Sequence, residues 1–273
     1  MASYVDISII SPNKSLRIIP FQKFSGAQNM ALDLLLAESI KPEDSPILRF
    51  YGWKPHCISL GFHQEDSLVS RNKILKGGIH LVRRPTGGSA ILHANELTYS
   101  LIVPNAQGVH HEVYSIFHKL LSVSLVELGY AVELHQNGLD ENYLKNARKS
   151  FACFNRSAFA EIKYNNKKVV GSAQKILRNG ILQHGSIILS GTQADVLDYL
   201  TLNPEELSSL KNELRHSSIS LEQINSQEMS QGMLSKAITE QFAINGIKSI
   251  YFMKTMENVL KEAQKKMAEF NVY

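Results

Sequence analysis

Residues 80–103, HLVRRPTGGSAILHANELTYSLIV, limit the fold more than any other stretch of the chain. Val82 and Arg84 share a period-two register, as do Ala90 and Leu92 beyond Pro85-Thr86-Gly87-Gly88, where glycine makes positive backbone φ angles accessible. A third run follows at 96–103, with Leu97, Tyr99 and Leu101 on one face and Thr98 and Ser100 on the other. The spacing predicts an antiparallel meander of three strands. Two adjacent glycines also let a ligand approach the main chain, their amides can donate to an anion or a carbonyl, and Arg83 or Arg84 can set a guanidinium beside them. A plain hairpin with solvated arginines has the same pattern, and the loop residues alone leave both readings open.

Ahead of this block, residues 1–22 hold short apolar runs, and SGAQNMALDLLLAESI carries Met30, Ala31, Leu34, Leu35 and Ile40 at helical spacing, with Ser25 as N-cap and Pro42 as a stop. ILRFYGWKPHCISLGF predicts a hairpin, with strands at 47–51 and 57–61 around a turn at 52–55. QEDSLVSRNKILKGG predicts a short helix, and HHEVYSIFHKLLSVSLVELGY a longer one with Val113, Ile116, Phe117, Leu120 and Leu121 on one face and Gly129 closing it. Asn165-Asn166 and Arg178-Asn179-Gly180 separate three strand-like runs, 159–164, 168–177 and 181–189, which read as a second meander. From about residue 191 the pattern turns helical, apart from one short apolar run, SIYFM. The expected fold class is α+β: mainly antiparallel mixed sheets packed with helices, in one domain over 1–273 whose part from 191 to 273 is mainly helical.

With 44% hydrophobic and 20% charged residues, no run of eighteen apolar residues and no arginine-led apolar leader, the chain reads as a cytoplasmic globule. Its net charge of +4 is spread over dispersed lysines, which favours an acidic protein partner over nucleic acid or a membrane. Two cysteines are too few for a disulfide framework or a cysteine-rich metal site. No P-loop, GxSxG elbow, HExxH or dinucleotide fingerprint is present. Cys153 lies among Arg148, Lys149 and Arg156, cations that favour a thiolate able to attack acyl donors; its other reading is a small hydrophobe beside Phe151 and Phe154. Cys57, in an alternating apolar run, reads as core. Lys168 opens KVVGSAQ and would hold an acyl carbonyl or phosphate if aimed into a cleft, although Lys167 beside it makes a solvated hairpin end the default. His93 and His184 lie near glycine turns without a paired aspartate at useful spacing, so both are expected as pocket or core histidines.

Taken together, RFYGW at 49–53, RRPTGG at 83–88, ELTYS at 96–100, and KVVGSAQ with ILQHGSIIL at 168–189 resemble the lipoate ligase and octanoyltransferase family, related by fold to the biotin protein ligases. The blocks occur in family order within residues 24–190. The resemblance implies that the Gly-Gly loop and the KxxGSA strand flank a tunnel for a medium-length acyl chain, with Lys168 on the acyl carbonyl. It implies substrate contacts from Arg83, Arg84, Thr86, Gly87, Gly88, His93, Gly171, Ser172, Ala173, His184 and Gly185. Cys153 stands in the Ala-Cys-Phe context in which cysteine-dependent octanoyltransferases carry their nucleophile, and the residues after 190 are expected to be too few for both the end of the catalytic domain and the full accessory domain common in ATP-dependent ligases. The expected activity is transfer of octanoyl from an acyl carrier protein to a lipoyl-domain lysine, with no cofactor. The acceptor would be a protein such as the glycine cleavage H protein or a dehydrogenase E2 subunit. An ATP-dependent lipoate-protein ligase, an octanoyl amidotransferase between lipoyl proteins and a non-catalytic acyl-binding protein are the alternatives. Ser89 and Ala94-Asn95 depart from the family pattern, which often has arginine or glycine after the double glycine and aspartate after the histidine.

Overall fold

β1 (Ser15–Phe24) buries Leu16 and Ile18 and delivers the chain to α1 (Gly26–Ser39), which starts where the Ser25 hydroxyl accepts from the Gln28 amide. The structure is a computed structural model and describes residues 4–105, 108–136, 160–252 and 256–272. β2 (Ile47–Trp53), β3 (Cys57–Leu60), α2 (Arg71–Gly77), β4 (His80–Arg83), β5 (Ile91–His93) and β6 (Glu96–Pro104) follow. Next come α3 (His110–Glu127), β7 (Glu133–Gln136), β8 (Ala160–Tyr164), β9 (Lys167–Lys168), β10 (Val170–Ile176) and β11 (Gly180–Ile188). A 3-10 helix at Gln193–Tyr199, α4 (Pro204–Ser217), α5 (Leu221–Ile224), α6 (Gln231–Ile244), β12 (Lys248–Tyr251) and α7 (Met256–Lys266) complete the order. No helix among the described residues is long and apolar enough to cross a membrane.

Six strands form the central sheet, in the order β10-β11-β6-β2-β1-β12, and two three-stranded sheets, β4-β3-β5 and β7-β8-β9, flank it. β1 runs parallel to β2 and β12, and β3 parallel to β4; the other pairings are antiparallel. β6 sits in the middle with both faces buried: one is apolar, and the polar Glu96, Thr98 and Ser100 of the other are hydrogen-bonded to His93, Trp53 and Asp33. Leu97, Tyr99, Leu101 and Val103 enter one core with Phe117 and Leu121 of α3 and Leu234, Ile238 and Phe242 of α6. Ile102 faces the other, with Ala27, Met30 and Leu36 of α1 and Ala263 of α7. A third core, around Ile58, Leu60, Leu81 and Leu197, supports the smaller sheet from below the Gly-Gly loop.

Strand pairing corrects three expectations. β2 and β3 do not form a hairpin, since they belong to different sheets. The meander over 80–103 is absent too: β3 inserts between β4 and β5, and β6 leaves for the central sheet. Period-two patterning sets which face a strand buries but not which strand lies beside it, and β3 gains more by placing Ile58 and Leu60 against the third core. The Gly-Gly loop therefore joins two strands that never touch, free of tight-hairpin geometry. The second meander divides at Val169, with β8 and β9 pairing beside β7 and β10 and β11 beside β6. In α1, Leu34 and Leu35 are only half-buried, whereas Asn29 and Asp33 are fully enclosed.

Candidate active site

Arg83, which ends β4, and Arg84, which follows it, diverge. Arg84 is buried, and its guanidinium braces the Gly-Gly loop from within: Nη2 donates to Gly87 O at 2.8 Å and Ser89 O at 2.9 Å, and Nη1 to Ser59 O at 3.0 Å. Arg83 turns toward the next segment and donates through Nη1 to the carbonyls of Gly61, at 3.1 Å, and Gln64. Outside the loop, Lys175 Nζ donates to Pro85 O at 3.1 Å. Two glycines make this path possible. Gly88 has φ +97°, in the left-handed region, and a Cβ on Gly61 would lie 1.8 Å from the Gly88 carbonyl oxygen.

Beneath the loop lie two buried hydroxyl-histidine-carboxylate chains. In the first, Thr86 Oγ1 meets His184 Nε2 at 2.6 Å, and His184 Nδ1 meets Asp33 Oδ2 at 3.2 Å. Arg49 Nη1 (2.6 Å) and Ser100 Oγ (2.8 Å) donate to Asp33 Oδ1, and Tyr51 OH (2.8 Å) to Oδ2. Burial alone would raise the Asp33 carboxyl, but Arg49, with His184 and Tyr51, holds it below its ordinary value. Burial lowers His184 further than Asp33 raises it, so the ring is neutral near pH 7. A neutral ring beside a carboxylate carries its proton on Nδ1 and donates there, which leaves Nε2 to accept from the Thr86 hydroxyl. In the second chain, His93 bridges Glu96 Oε1 (Nδ1, 2.6 Å) and the Ser59 hydroxyl (Nε2, 2.7 Å) and stacks on Trp53 with ring centroids 3.9 Å apart. Arg84 also reaches Ser59 Oγ, at 3.3 Å, so the second chain is tied to the loop brace.

These chains give both histidines acidic partners that a search for an aspartate at useful spacing along the sequence does not find. Asp33 lies 151 residues from His184, on a helix across the sheet, where spacing along the sequence has no reach. Glu96 is three residues from His93 but read as the start of a strand. Both histidines are nonetheless buried.

The KVVGSA segment assembles a third cluster. Lys168 is 8% exposed, against the solvated reading, because its main chain is clamped by Ile219 N donating to its carbonyl at 3.0 Å and its Nζ meets Glu161 Oε1 at 2.6 Å. Cross-strand register places Gly171 opposite Ser186, Ser172 opposite Gly185 and Ala173 opposite His184. The Ser172 hydroxyl meets Tyr99 OH at 2.6 Å and His118 Nε2 at 2.8 Å. Position 185 must be glycine for this contact, since a Cβ would lie 2.5 Å from Ser172 Oγ and 2.6 Å from Tyr99 OH. His118 is pushed down to about 3, first by burial and then by the Lys168 charge, with Glu161 opposing. Tyr99 is pushed up by burial.

β10 and β11 thus bring Gly171, Ser172, Ala173, His184 and Gly185 together, and Thr86 connects them to Gly87, Gly88 and Arg84; His93 stands behind the loop. Cys153 lies outside the described residues. Cys57 is wholly buried, its thiol raised by that burial. Asp33, Arg49, Ser59, Glu96, Tyr99, His118 and Glu161 were not singled out as site residues from the sequence. Arg49 and Glu96 stood within the RFYGW and ELTYS blocks, and Asn29 and Asp33 formed an i, i+4 polar pair inside an apolar helix, a legible sign of a buried polar face.

Residues 25–243 match the lipoyl protein ligase A/B catalytic domain. The octanoyltransferase LipM of Macrococcus caseolyticus is 34% identical over 223 residues, 78% of this chain and 80% of that protein. LipM of Carboxydothermus hydrogenoformans is 32% identical over 88% of this chain and 91% of its own. Among solved structures, the bipartite lipoate protein ligase of Thermoplasma acidophilum covers 93% of this chain and 94% of its own at TM-score 0.71 and 19% identity, a likeness of fold. Lipoate-protein ligase A bound with ATP gives TM-score 0.69 at 20% identity, over 93% of this chain and 96% of its own. The α+β fold expected from the motif blocks is the fold observed. With the match running from the N-cap of α1 through α6, this chain belongs to the lipoyl protein ligase A/B catalytic domain family.

Proposed function

We propose that the protein is an octanoyltransferase of lipoate biosynthesis, moving octanoyl from an acyl carrier protein to a lipoyl-domain lysine through a thioester on Cys153. The observation that carries this reading is the similarity to octanoyltransferases LipM, above 30% identity along most of both chains. The Thermoplasma ligase is described together with its E2 lipoyl domain, which supports a lipoyl domain as acceptor.

In the first half-reaction the Cys153 thiolate attacks the carbonyl carbon of the octanoyl thioester. A new C–S bond forms, the old one breaks, and the carrier leaves as a thiolate that takes up a proton. The acceptor lysine, as free amine, then attacks the acyl-enzyme; a C–N bond forms, the bond to Cys153 breaks, and the amine proton neutralises the departing sulfur. Lys168 is the group assigned to orient the carbonyl. Main-chain amides of Gly87, Gly88 or Gly171 are the candidates for stabilising the tetrahedral oxyanion, an effect worth about 3 kcal/mol per donor in acyl-transfer enzymes. Neither half-reaction consumes a nucleotide, because the thioester is already activated. The test is to incubate the protein with octanoyl carrier protein and a lipoyl domain, with and without ATP. The reading expects the acceptor to gain an octanoyl mass without ATP. Modification only with ATP and free octanoate would make the protein a ligase.

A further inference from the structure

We propose that Glu161 is a positioning residue for Lys168: its buried carboxylate holds the lysine ammonium in one pose beside the Ser172 segment of β10. The inference rests on the octanoyltransferase reading above and extends it to a residue that the motif blocks do not contain. The hairpin between β8 and β9 supplies the geometry. Asn165 and Asn166 both take positive φ, 47° and 63°, as a two-residue hairpin turn of the twist-compatible kind requires. That turn sets the register in which Lys163 stands directly opposite Lys168. Two lysines facing each other across an antiparallel pair repel, so the register is unfavourable unless something answers both charges. Glu161, two residues before Lys163 and therefore on the same face of β8, does so: Oε1 meets Lys168 Nζ at 2.6 Å and Oε2 meets Lys163 Nζ at 2.8 Å.

Of the two partners Lys168 is the more buried, its side chain 10% exposed against 18% for Lys163. Glu161 is 3% exposed, and a carboxylate removed from water needs close compensation, which a long lysine reaching along the sheet provides only when held at full occupancy. Among the described residues, the Glu161 carboxylate thus sits between two ammonium groups, one on each of its oxygens. An ammonium carries three N–H donors, and the contact with Glu161 Oε1 fixes the direction of one of them. Lys168 ends β9 two residues before β10 begins, and β10 carries Ser172, whose Oγ lies 2.8 Å from His118 Nε2. Glu161 and Lys168 therefore stand at the passage from the flanking sheet to the strand on which the carbonyl is expected.

The test measures single-turnover acyl loading from octanoyl carrier protein for the wild type, Glu161→Gln, Glu161→Asp, Lys168→Ala and the double variant Glu161→Gln/Lys168→Ala, with thermal unfolding of each. Loss of positioning predicts a fall in loading kcat of about tenfold to a hundredfold for Glu161→Gln, with the donor KM within about twofold. Glu161→Asp keeps the charge but withdraws it by one methylene; it secures the fold should Glu161→Gln be unstable, and its kcat lies between those of the wild type and Lys168→Ala. Because Glu161 acts through Lys168, the double variant loads no more slowly than Lys168→Ala. Wild-type loading by both Glu161 variants, or losses that multiply in the double variant, would overturn the inference while leaving the octanoyltransferase reading intact. A wild-type protein that does not load at all would overturn that reading, and this inference with it.

Discussion

His118 stands beside an ammonium and inside a core, and both circumstances oppose a proton on its ring. Its folded value of about 3 lies below the unfolded value of about 6.5, so between these limits protons bind the unfolded chain and not the native one. Stability carried by His118 is thus complete above about pH 6.5 and is lost as the pH falls toward 3. Asp33, held below its ordinary value, adds a loss of the same sign at still lower pH. Urea unfolding of the wild type should show a stability decline on the order of a few kcal/mol between pH 6.5 and 4, and His118→Gln should flatten it. An equally steep decline in the variant would mean that the ring is not buried neutral. Individual residues of this kind are the least legible in a sequence. His184 and Asp33 are paired across 151 positions, and Lys168 beside Lys167 looks like a solvated hairpin end until Glu161 is seen next to it.

At the scale of elements, β10 and β11 matter because their register stacks Ser172 on Gly185 with Tyr99 beneath. Gly185→Ala forces a methyl into the space of two oxygens and is expected to cost about 1–3 kcal/mol of stability, measured by thermal unfolding, and to slow acyl loading through displacement of Ser172. A neutral substitution there would contradict the contact. The boundaries of such elements were legible wherever local chemistry sets them: Ser25 caps α1, Gly129 with φ +88° closes α3, and Asn165-Asn166 turns β8 into β9. Strand partners were not. The pattern in 80–103 correctly indicates which residues of β6 face each core, but the insertion of β3 between β4 and β5 depends on Ile58 and Leu60 finding the third core, a contact no window of the sequence contains.

For the whole molecule, the segment after residue 191 is woven into the rest. α6 lays Leu234, Ile238 and Phe242 on the core beneath β6, β12 extends the central sheet beside β1, and the Phe270 carbonyl accepts from the Arg83 amide at 2.9 Å at the foot of the Gly-Gly loop. Phe242 is wholly buried, 6.2 Å from Phe117 between ring centroids, so Phe242→Ala is expected to remove about 3–5 kcal/mol of stability in denaturant unfolding, and a loss below about 1 kcal/mol would mean that α6 is not part of the core. This scaffold holds loop, strand and lysine in fixed relation, and Cys153 is the residue proposed to make the bond. The most direct measurement is peptide-level mass spectrometry of the protein mixed with octanoyl carrier protein in the absence of ATP, followed by addition of a lipoyl domain. The expected result is an octanoyl thioester on the Cys153 peptide that disappears as the lipoyl lysine gains the same mass, and neither event in Cys153→Ala. Acceptor modification at the wild-type rate by Cys153→Ala would contradict it.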